Sequence, residues 1–236
     1  MKKVLFSIIS VSYNCKDYVD LTLSSLLNQT YKDYELIIID GKSTDGTLDE
    51  INKYKNQFTN IKIISEEDSG IYDAMNKGVK YASGKYVFFL NFGDTFFDGN
   101  VLEKIASKMC SNKDVYYGDI ESQGKTIKQD GRFNLFNFIY QEGMVCHQSI
   151  FVKRTLLEKY PFDLKYKICA DRDFLIKILK DNCSVEYVEL TICRYDDAGK
   201  SSNLEVLHKD SDAVSYKWGG LKARLFIYIM RKLGRV

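Results

Sequence analysis

The sequence predicts an α/β fold with a mostly parallel central sheet and helices on both faces. Three observations carry that prediction. Short aliphatic runs at residues 4–10, 36–39, 61–65 and 86–90 have the length of buried strands. Stretches of helical length and period lie between them, at residues 18–28, 48–58 and 71–82. The strand runs end at small or polar residues, so the chain alternates strand and helix, and such crossovers are right-handed and parallel.

The stretch YELIIIDGKSTDGT, residues 34–47, organises the rest. Its aliphatic run stops at Asp40, and Gly41, Ser43, Thr44, Asp45 and Gly46 form a turn before a helix opens near Thr47. Open α/β sheets hold nucleotides outside the carboxyl ends of their strands, which is where this turn lies. The Asp40 carboxylate there can accept hydrogen bonds from a ribose or a base N–H. The first strand run delivers Ser12, Tyr13 and Asn14 to the same rim. Tyr13 can stack on a base, although a half-buried loop tyrosine is the commoner occurrence. Asp68 and Gly70 follow the third run. The fourth run is almost wholly apolar and so central, and it delivers Asn91, Phe92, Gly93 and Asp94. A carboxylate at that point is where a divalent ion bridging phosphates would be held. The alternative role for Asp94, capping a helix over residues 99–110, suits Asp98 or Asn100 better.

With 236 residues, 45% of them hydrophobic, the chain can bury a full core as one large domain or one domain with an appended piece. A net charge of +2 gives no reason to expect nucleic acid as a partner. The basic residues are uneven: none of the residues after Asp212 is acidic, while Lys217, Lys222, Arg224, Arg231, Lys232 and Arg235 follow it. Six scattered cysteines show neither a CxxC pair nor zinc-ligand spacing and read as reduced cytoplasmic thiols. Ser7, Ser10 and Ser12 interrupt the apolar start, which reads as a first buried strand and not as a signal peptide. Pro161 is the one proline, and no repeat or low-complexity linker marks a domain boundary.

The second half predicts a hairpin of residues 115–120 and 125–128 around Ser122-Gln123-Gly124, then an aromatic helix or loop at 133–140. A strand over 146–152 carries His147 and Gln148. Residues 170–180 read as a helix with Phe174, Leu175, Ile178 and Leu179 inward, and with Asp171 and Asp173 in its first turn. On residue type alone, those two aspartates simply favour the positive end of a helix. Two further strands are read from 183–195, and a polar stretch at 196–203 could close over a ligand or be a solvated connection. A helix over 204–218 is broken by Gly219-Gly220. The closing LKARLFIYIMRKLGRV is too short in its apolar block to span a bilayer.

Four segments, ISVSYN, IIIDGKSTDGT, EEDSGIYDAMNKG and GKYVFFLNFGD, occur in order and together resemble the nucleotide-sugar-binding half of family 2, GT-A type inverting glycosyltransferases. The DSGIYDAMNKG and LNFGD forms resemble the branch that builds bacterial capsule, O-antigen or colanic acid repeat units. The resemblance implies a GT-A fold and a hexosyltransferase acting with inversion. It implies a UDP-, GDP- or dTDP-sugar donor, with UDP favoured, and Mg²⁺ or Mn²⁺ on the diphosphate. Ser12, Tyr13, Asp40, Asp68, Gly70, Asn76 and Asn91 would lie around the donor, Asp94 would hold the metal, and His147 would touch donor phosphate or acceptor. Asp171 falls where the family places its catalytic base, with Asp173 as runner-up. A carboxylate within reach of a sugar hydroxyl can take its proton as it attacks. The family's metal motif is usually Asp-x-Asp, and here the stretch offers Asn91, Gly93 and Asp94. A cation bound largely through phosphates and water needs only one or two carboxylates, so Asp94 alone can complete a site with low affinity in the absence of donor.

The corresponding layout is a domain over residues 1–218, divided into a donor half (1–98) and an acceptor half (99–218), followed by a basic amphipathic helix at 219–236. That helix either packs on the domain or lies on anionic lipid. The second is favoured because the family's saccharide acceptors are commonly polyprenyl-linked, which would place a cytoplasmic protein on the inner face of the plasma membrane. Nothing in the chain separates monomer from homodimer. A nucleotidyltransferase would need a glycine-rich basic loop after the first strand, and no GxGxxG marks a dehydrogenase. A non-catalytic nucleotide-sugar-binding or scaffold subunit is the rival of a different class.

Overall fold

Residues 4–141, 145–195 and 204–233 are described by the computed structural model. The first half consists of β1 (Phe6–Ser12), α1 (Val19–Leu27), β2 (Tyr34–Asp40), α2 (Thr47–Tyr54), β3 (Ile61–Ser65), α3 (Ile71–Tyr81) and β4 (Tyr86–Phe89). These strands pair in parallel in the order β3-β2-β1-β4. Their register sets Ser12 opposite Asp40 and Asp40 opposite Ser65, so three strands end on one line.

Helices cover both faces of this sheet, which is why β1, β2 and β4 are buried along their whole length. Alternate side chains feed two apolar layers. Ile9, Val11, Ile37 and Ile39 meet Met75 and Val79 of α3 on one side. Ile8, Leu36 and Ile38 meet Leu23 and Leu26 of α1 and Ile51 of α2 on the other. Burying each such side chain contributes about 1.5–3 kcal/mol, so the four aliphatic residues before Asp40 in β2 are well suited to a strand covered on both faces.

The second half adds β5 (Thr95–Phe96), α4 (Val101–Lys108), β6 (Val115–Ser122), β7 (Lys125–Ile127), α5 (Leu135–Tyr140), β8 (Ile150–Lys153), α6 (Arg154–Lys159), α7 (Ala170–Lys180), β9 (Val185–Arg194) and α8 (Leu204–Lys232). The sheet continues from β4 as β8-β6-β9-β5, with β7 hairpinned onto β6. Pairing is now mixed: β8 is antiparallel to both β4 and β6, and β6 is parallel to β9. The result is the GT-A architecture that the resemblance implied.

Several elements differ from the sequence reading. Residues 183–195 give one strand, β9, and not two. Its sequence VEYVELTICR contains no turn residue, and the mismatch with β6 is absorbed by register shifts between Tyr117 and Ile120. The strand expected over 146–152 begins only at Ile150, and His147–Ser149 form a turn of 3-10 helix. The cause is Gln129, a buried side chain whose amide oxygen accepts from Cys146 N at 2.7 Å and whose nitrogen donates to Ser149 Oγ at 2.6 Å. It satisfies the chain locally in place of a strand partner. α6 and the two-residue β5 are elements the sequence did not announce.

Gly219-Gly220 bends a helix that then continues. Gly220 has φ +59°, a conformation glycine adopts readily, and α8 runs on to Lys232 as a second arm. Ala223 and Ile227 of that arm are buried, and Phe226 meets Phe136 and Tyr140 edge-on. Its opposite face leaves Leu221, Leu225, Ile229 and Leu233 exposed at a spacing of four residues, one apolar stripe. The arm therefore packs on the domain and also presents an uncovered apolar face. The polar stretch 196–203 lies outside the described residues.

Candidate active site

The rim is built by loops that lock into one another. Asn14 N donates to Ser43 Oγ and Thr44 N donates to Asn14 Oδ1, each at 2.9 Å, tying the loop after β1 to the loop after β2. Asp40 lies beneath this junction, fully buried. Its Oδ1 accepts from Ser12 Oγ at 3.0 Å and Ser43 Oγ at 2.5 Å, and its Oδ2 from Ser43 N at 3.1 Å and Ser65 Oγ at 2.8 Å. A carboxylate has about four acceptor positions, and protein donors occupy four. Asp40 and Ser12 thus fasten the rim through bonds within the protein.

Asp68 lies in the loop between β3 and α3. It is half-buried, and a Cβ on Gly41 would collide with its Oδ2 and lie 3.3 Å from the Tyr13 ring. The bare backbone of Gly41 therefore lets Tyr13 and Asp68 converge over the end of β2. Tyr13 is 59% exposed at this point. Asp68 Oδ1 accepts from Gly70 N at 2.9 Å, and Gly70, at φ +127°, turns the chain into α3. Asn76 does not join them. Its amide exchanges two hydrogen bonds with the Phe162 backbone, at 3.0 and 2.9 Å, so it ties α3 to the loop before α7.

The turn after β4 faces the other half. Asp94 N donates to Asn91 O at 3.1 Å, and Thr22 Oγ1 donates to Asp94 O at 2.9 Å, which fixes the turn on α1. Across from it, Gln148 Nε2 donates to Asp94 Oδ2 at 3.1 Å, and His147 Nε2 lies 3.3 Å from Asn91 Nδ2. His147 Nδ1 lies 3.2 Å from Asp171 Oδ2. One imidazole thus spans from the β4 turn to the first turn of α7. Asp171, nearly buried, also accepts from Arg172 N at 2.8 Å and has Tyr72 Oη 3.1 Å from its Oδ1. Burial, reinforced by the Asp171 charge, pushes the Tyr72 phenol well above its usual range, so the hydroxyl keeps its proton.

Asp173 is no alternative to Asp171. It points to the opposite side of α7, where its Oδ1 takes Lys217 Nζ and Trp218 Nε1, each at 2.7 Å. Thiol nucleophiles are also excluded at neutral pH for two cysteines of this region: burial pushes Cys15 up to about 11 and Cys193 well above its ordinary value.

Among the described residues no three His, Cys, Asp or Glu side chains cluster as metal ligands. The β4 turn nevertheless fits a hard cation carried mainly by a diphosphate. It supplies the Asp94 carboxylate, and the Asn91 amide oxygen is buried without a hydrogen-bond partner, an orphaned acceptor of the kind a ligand satisfies. Tyr72, Gln148 and Gln129 escaped the sequence reading of the site. Tyr72 and Gln148 lie inside motifs that were recognised, whereas Gln129 carries no signal.

The family model for glycosyl transferase family 2 matches residues 7–169. This chain belongs to glycosyl transferase family 2. It is 33% identical over 208 residues to a PGL/p-HBAD biosynthesis glycosyltransferase of Mycobacterium bovis, covering 86% of this chain and 81% of that one. It is 29% identical over 189 residues to the UDP-Glc:alpha-D-GlcNAc-diphosphoundecaprenol beta-1,3-glucosyltransferase WfgD of Escherichia coli, covering 77% and 72%. In fold it is similar to TarS of S. aureus, with a TM-score of 0.72 and 19% identity over 89% of this chain and 39% of that one. Residues 1–349 of TarS, solved with UDP, give a TM-score of 0.70 at 20% identity, covering 91% and 70%.

Proposed function

We propose that this protein transfers a sugar, with inversion, from a nucleotide-diphosphate donor to a hydroxyl of a saccharide or lipid-linked saccharide in the assembly of a bacterial surface polysaccharide or glycolipid. The observation that carries this reading is the placement of Asp171 against His147, whose ring reaches the β4 turn bearing Asp94. A candidate base and a candidate cation ligand, 77 residues apart in sequence, are thereby linked through adjacent residues, His147 to Asp171 and Gln148 to Asp94. A UDP-sugar donor is favoured by the names of WfgD and of the UDP-bound TarS structure. A polyprenyl diphosphate acceptor is supported by WfgD alone. Residues 1–98 would act as the donor half and 99–218 as the acceptor half.

In this mechanism Tyr13 stacks on the base while Asp68 accepts from it. Asp171 takes the proton of the acceptor hydroxyl as that oxygen attacks the anomeric carbon from the face opposite the nucleotide. Mg²⁺ or Mn²⁺ held at Asp94 would offset charge on the departing diphosphate. Orienting the two substrates supplies much of the remaining acceleration.

The test is a panel of UDP-, GDP- and dTDP-sugars, each scored for melting-temperature shift and for nucleotide release with and without Mn²⁺. A donor that raises the melting temperature and is consumed only with Mn²⁺ is the expected result. Stabilisation by a donor with no release, even with acceptor saccharide present, would leave the non-catalytic binding subunit as the function.

Among the described residues no helix is long and apolar enough to cross a membrane. The exposed stripe of Leu221, Leu225, Ile229 and Leu233 lies in a segment without acidic residues, which suits the surface of an anionic bilayer. Leu225→Glu with Ile229→Glu changes only the outward face. We expect it to lower cosedimentation with phosphatidylglycerol vesicles severalfold while the melting temperature holds. Unchanged cosedimentation would remove the membrane role from α8.

A further inference from the structure

One side of α1 is polar and yet turned inward. Thr22 and Gln29 are buried and Ser25 is half-buried between them, at a spacing that sets all three on one side of the helix. We propose that Thr22 is a positioning residue for Asp94: its hydroxyl, donating to Asp94 O and accepting from Gly93 N, holds the turn after β4 in the shape that lets the Asp94 carboxylate take a divalent cation. This deepens the transferase reading and rests on Asp94 being the cation ligand of that reading.

A buried polar stripe on a helix is costly unless each group finds a partner. The partners these three side chains find outside α1 are backbone atoms of residues 93–102. Thr22 Oγ1 donates to Asp94 O at 2.9 Å and accepts from Gly93 N at 3.0 Å. Its one hydroxyl proton serves the first bond and a lone pair the second, so both contacts hold at once. Ser25 Oγ accepts from Phe96 N at 3.3 Å and donates to Thr22 O at 2.8 Å. Gln29 Nε2 donates to Asp98 O at 2.6 Å, and its Oε1 accepts from Leu102 N at 3.0 Å. The chain leaving β4 is thus laid along α1 as along a template, and the Asp94 turn is its first point of attachment.

That attachment falls where the backbone most needs it. Gly93 has φ +106°, a conformation that glycine adopts and other residues rarely do, and Asp94 N closes the turn onto Asn91 O at 3.1 Å. Thr22 fixes the main chain of Asp94, while Gln148 Nε2 meets its carboxylate at 3.1 Å. A cation sets its oxygen distances to within about 0.2 Å, so a ligand that drifts is a ligand lost. The turn offers a single carboxylate, and a second one cannot make up for its misplacement. A stripe that only seated α1 on the chain after β4 would spread its effect over Thr22, Ser25 and Gln29 alike. A positioning role is concentrated at Thr22.

The experiment uses the full chain and the nucleoside diphosphate that wild type binds, chosen from UDP, GDP and dTDP. Its affinity is measured by calorimetry with Mn²⁺ and with EDTA, and the ratio of the two is the readout. Thr22→Val keeps the shape and removes the hydroxyl. Affinity in EDTA should hold, because Tyr13 and Asp68 are untouched, and the ratio should fall about 10-fold, as when the support of a metal ligand is removed. Thr22→Ser keeps the hydroxyl and should restore most of the ratio. Gln29→Leu removes the far end of the stripe, and should lower the melting temperature while the ratio stays at the wild-type value. A wild-type ratio in Thr22→Val, or as large a loss in Gln29→Leu, overturns the proposal. If Thr22→Val does not fold, Ser25→Ala is read in its place: it releases Phe96 N and should lower the ratio, and an unchanged ratio overturns the proposal. A ratio near one in wild type, or one that survives Asp94→Asn, removes the cation ligand itself. Loss in Asp94→Asn with retention in Thr22→Val removes the positioning role alone.

Discussion

Asp171→Asn should bind nucleotide as tightly as wild type and transfer sugar about 10²–10⁴-fold more slowly, the range lost when a positioned general base is removed. The carboxamide matches the carboxylate in shape and still accepts from Arg172 N, which lies 2.8 Å from Oδ1. It cannot take a proton. The donor rim is built elsewhere, by Tyr13, Gly41 and Asp68 above the Asp40 fastening, so calorimetric titration with nucleotide should not register the change. Asp173 cannot substitute, because Lys217 and Trp218 hold it on the far side of α7. Turnover near the wild-type rate would move the base off this helix.

Much of the first half's fold was legible because a buried parallel strand has a distinctive sequence. The run ending in IIID leaves few alternatives, and chirality then places the loops after β1, β2, β3 and β4 along one edge. What could not be read was which lone pairs the protein itself fills. Asp40 looked open to a ligand because its saturation comes from Ser12 and Ser65, 28 and 25 residues away, in a register no local pattern encodes. The tie from Asn76 to Phe162, 86 residues on, was hidden for the same reason. The 3-10 turn that carries His147 depends on Gln129, a single polar residue in an unremarkable segment. Asp171, by contrast, was placed through the resemblance; residue type alone left it as an ordinary first-turn acid.

The residue after the candidate base should govern stability in place of chemistry. Arg172 is buried, and its guanidinium donates to Phe138 O at 2.5 Å and to Ser211 Oγ and Ser215 Oγ at 2.6 Å each. It fastens α7 to α5 and to the first arm of α8 at once. Asp210 on that arm in turn accepts from Ile168 N at 2.8 Å, just ahead of Asp171. Arg172→Met keeps the aliphatic bulk and removes the donors, so a backbone carbonyl is left buried without them and the helices lose their shared tie. The expected cost is roughly 2–4 kcal/mol, with buried groups losing partners at about 1–3 kcal/mol each. For a chain of this size that corresponds to a fall in Tm of about 5–15 °C. Nucleotide affinity should hold wherever the variant remains folded, because the donor rim draws nothing from α8. A Tm within about 2 °C of wild type, the shift a cost under 1 kcal/mol would produce, would show that apolar packing alone seats α8. The Asp171 carboxylate would then owe its place to Tyr72 and His147 without help from the carboxyl-terminal helix.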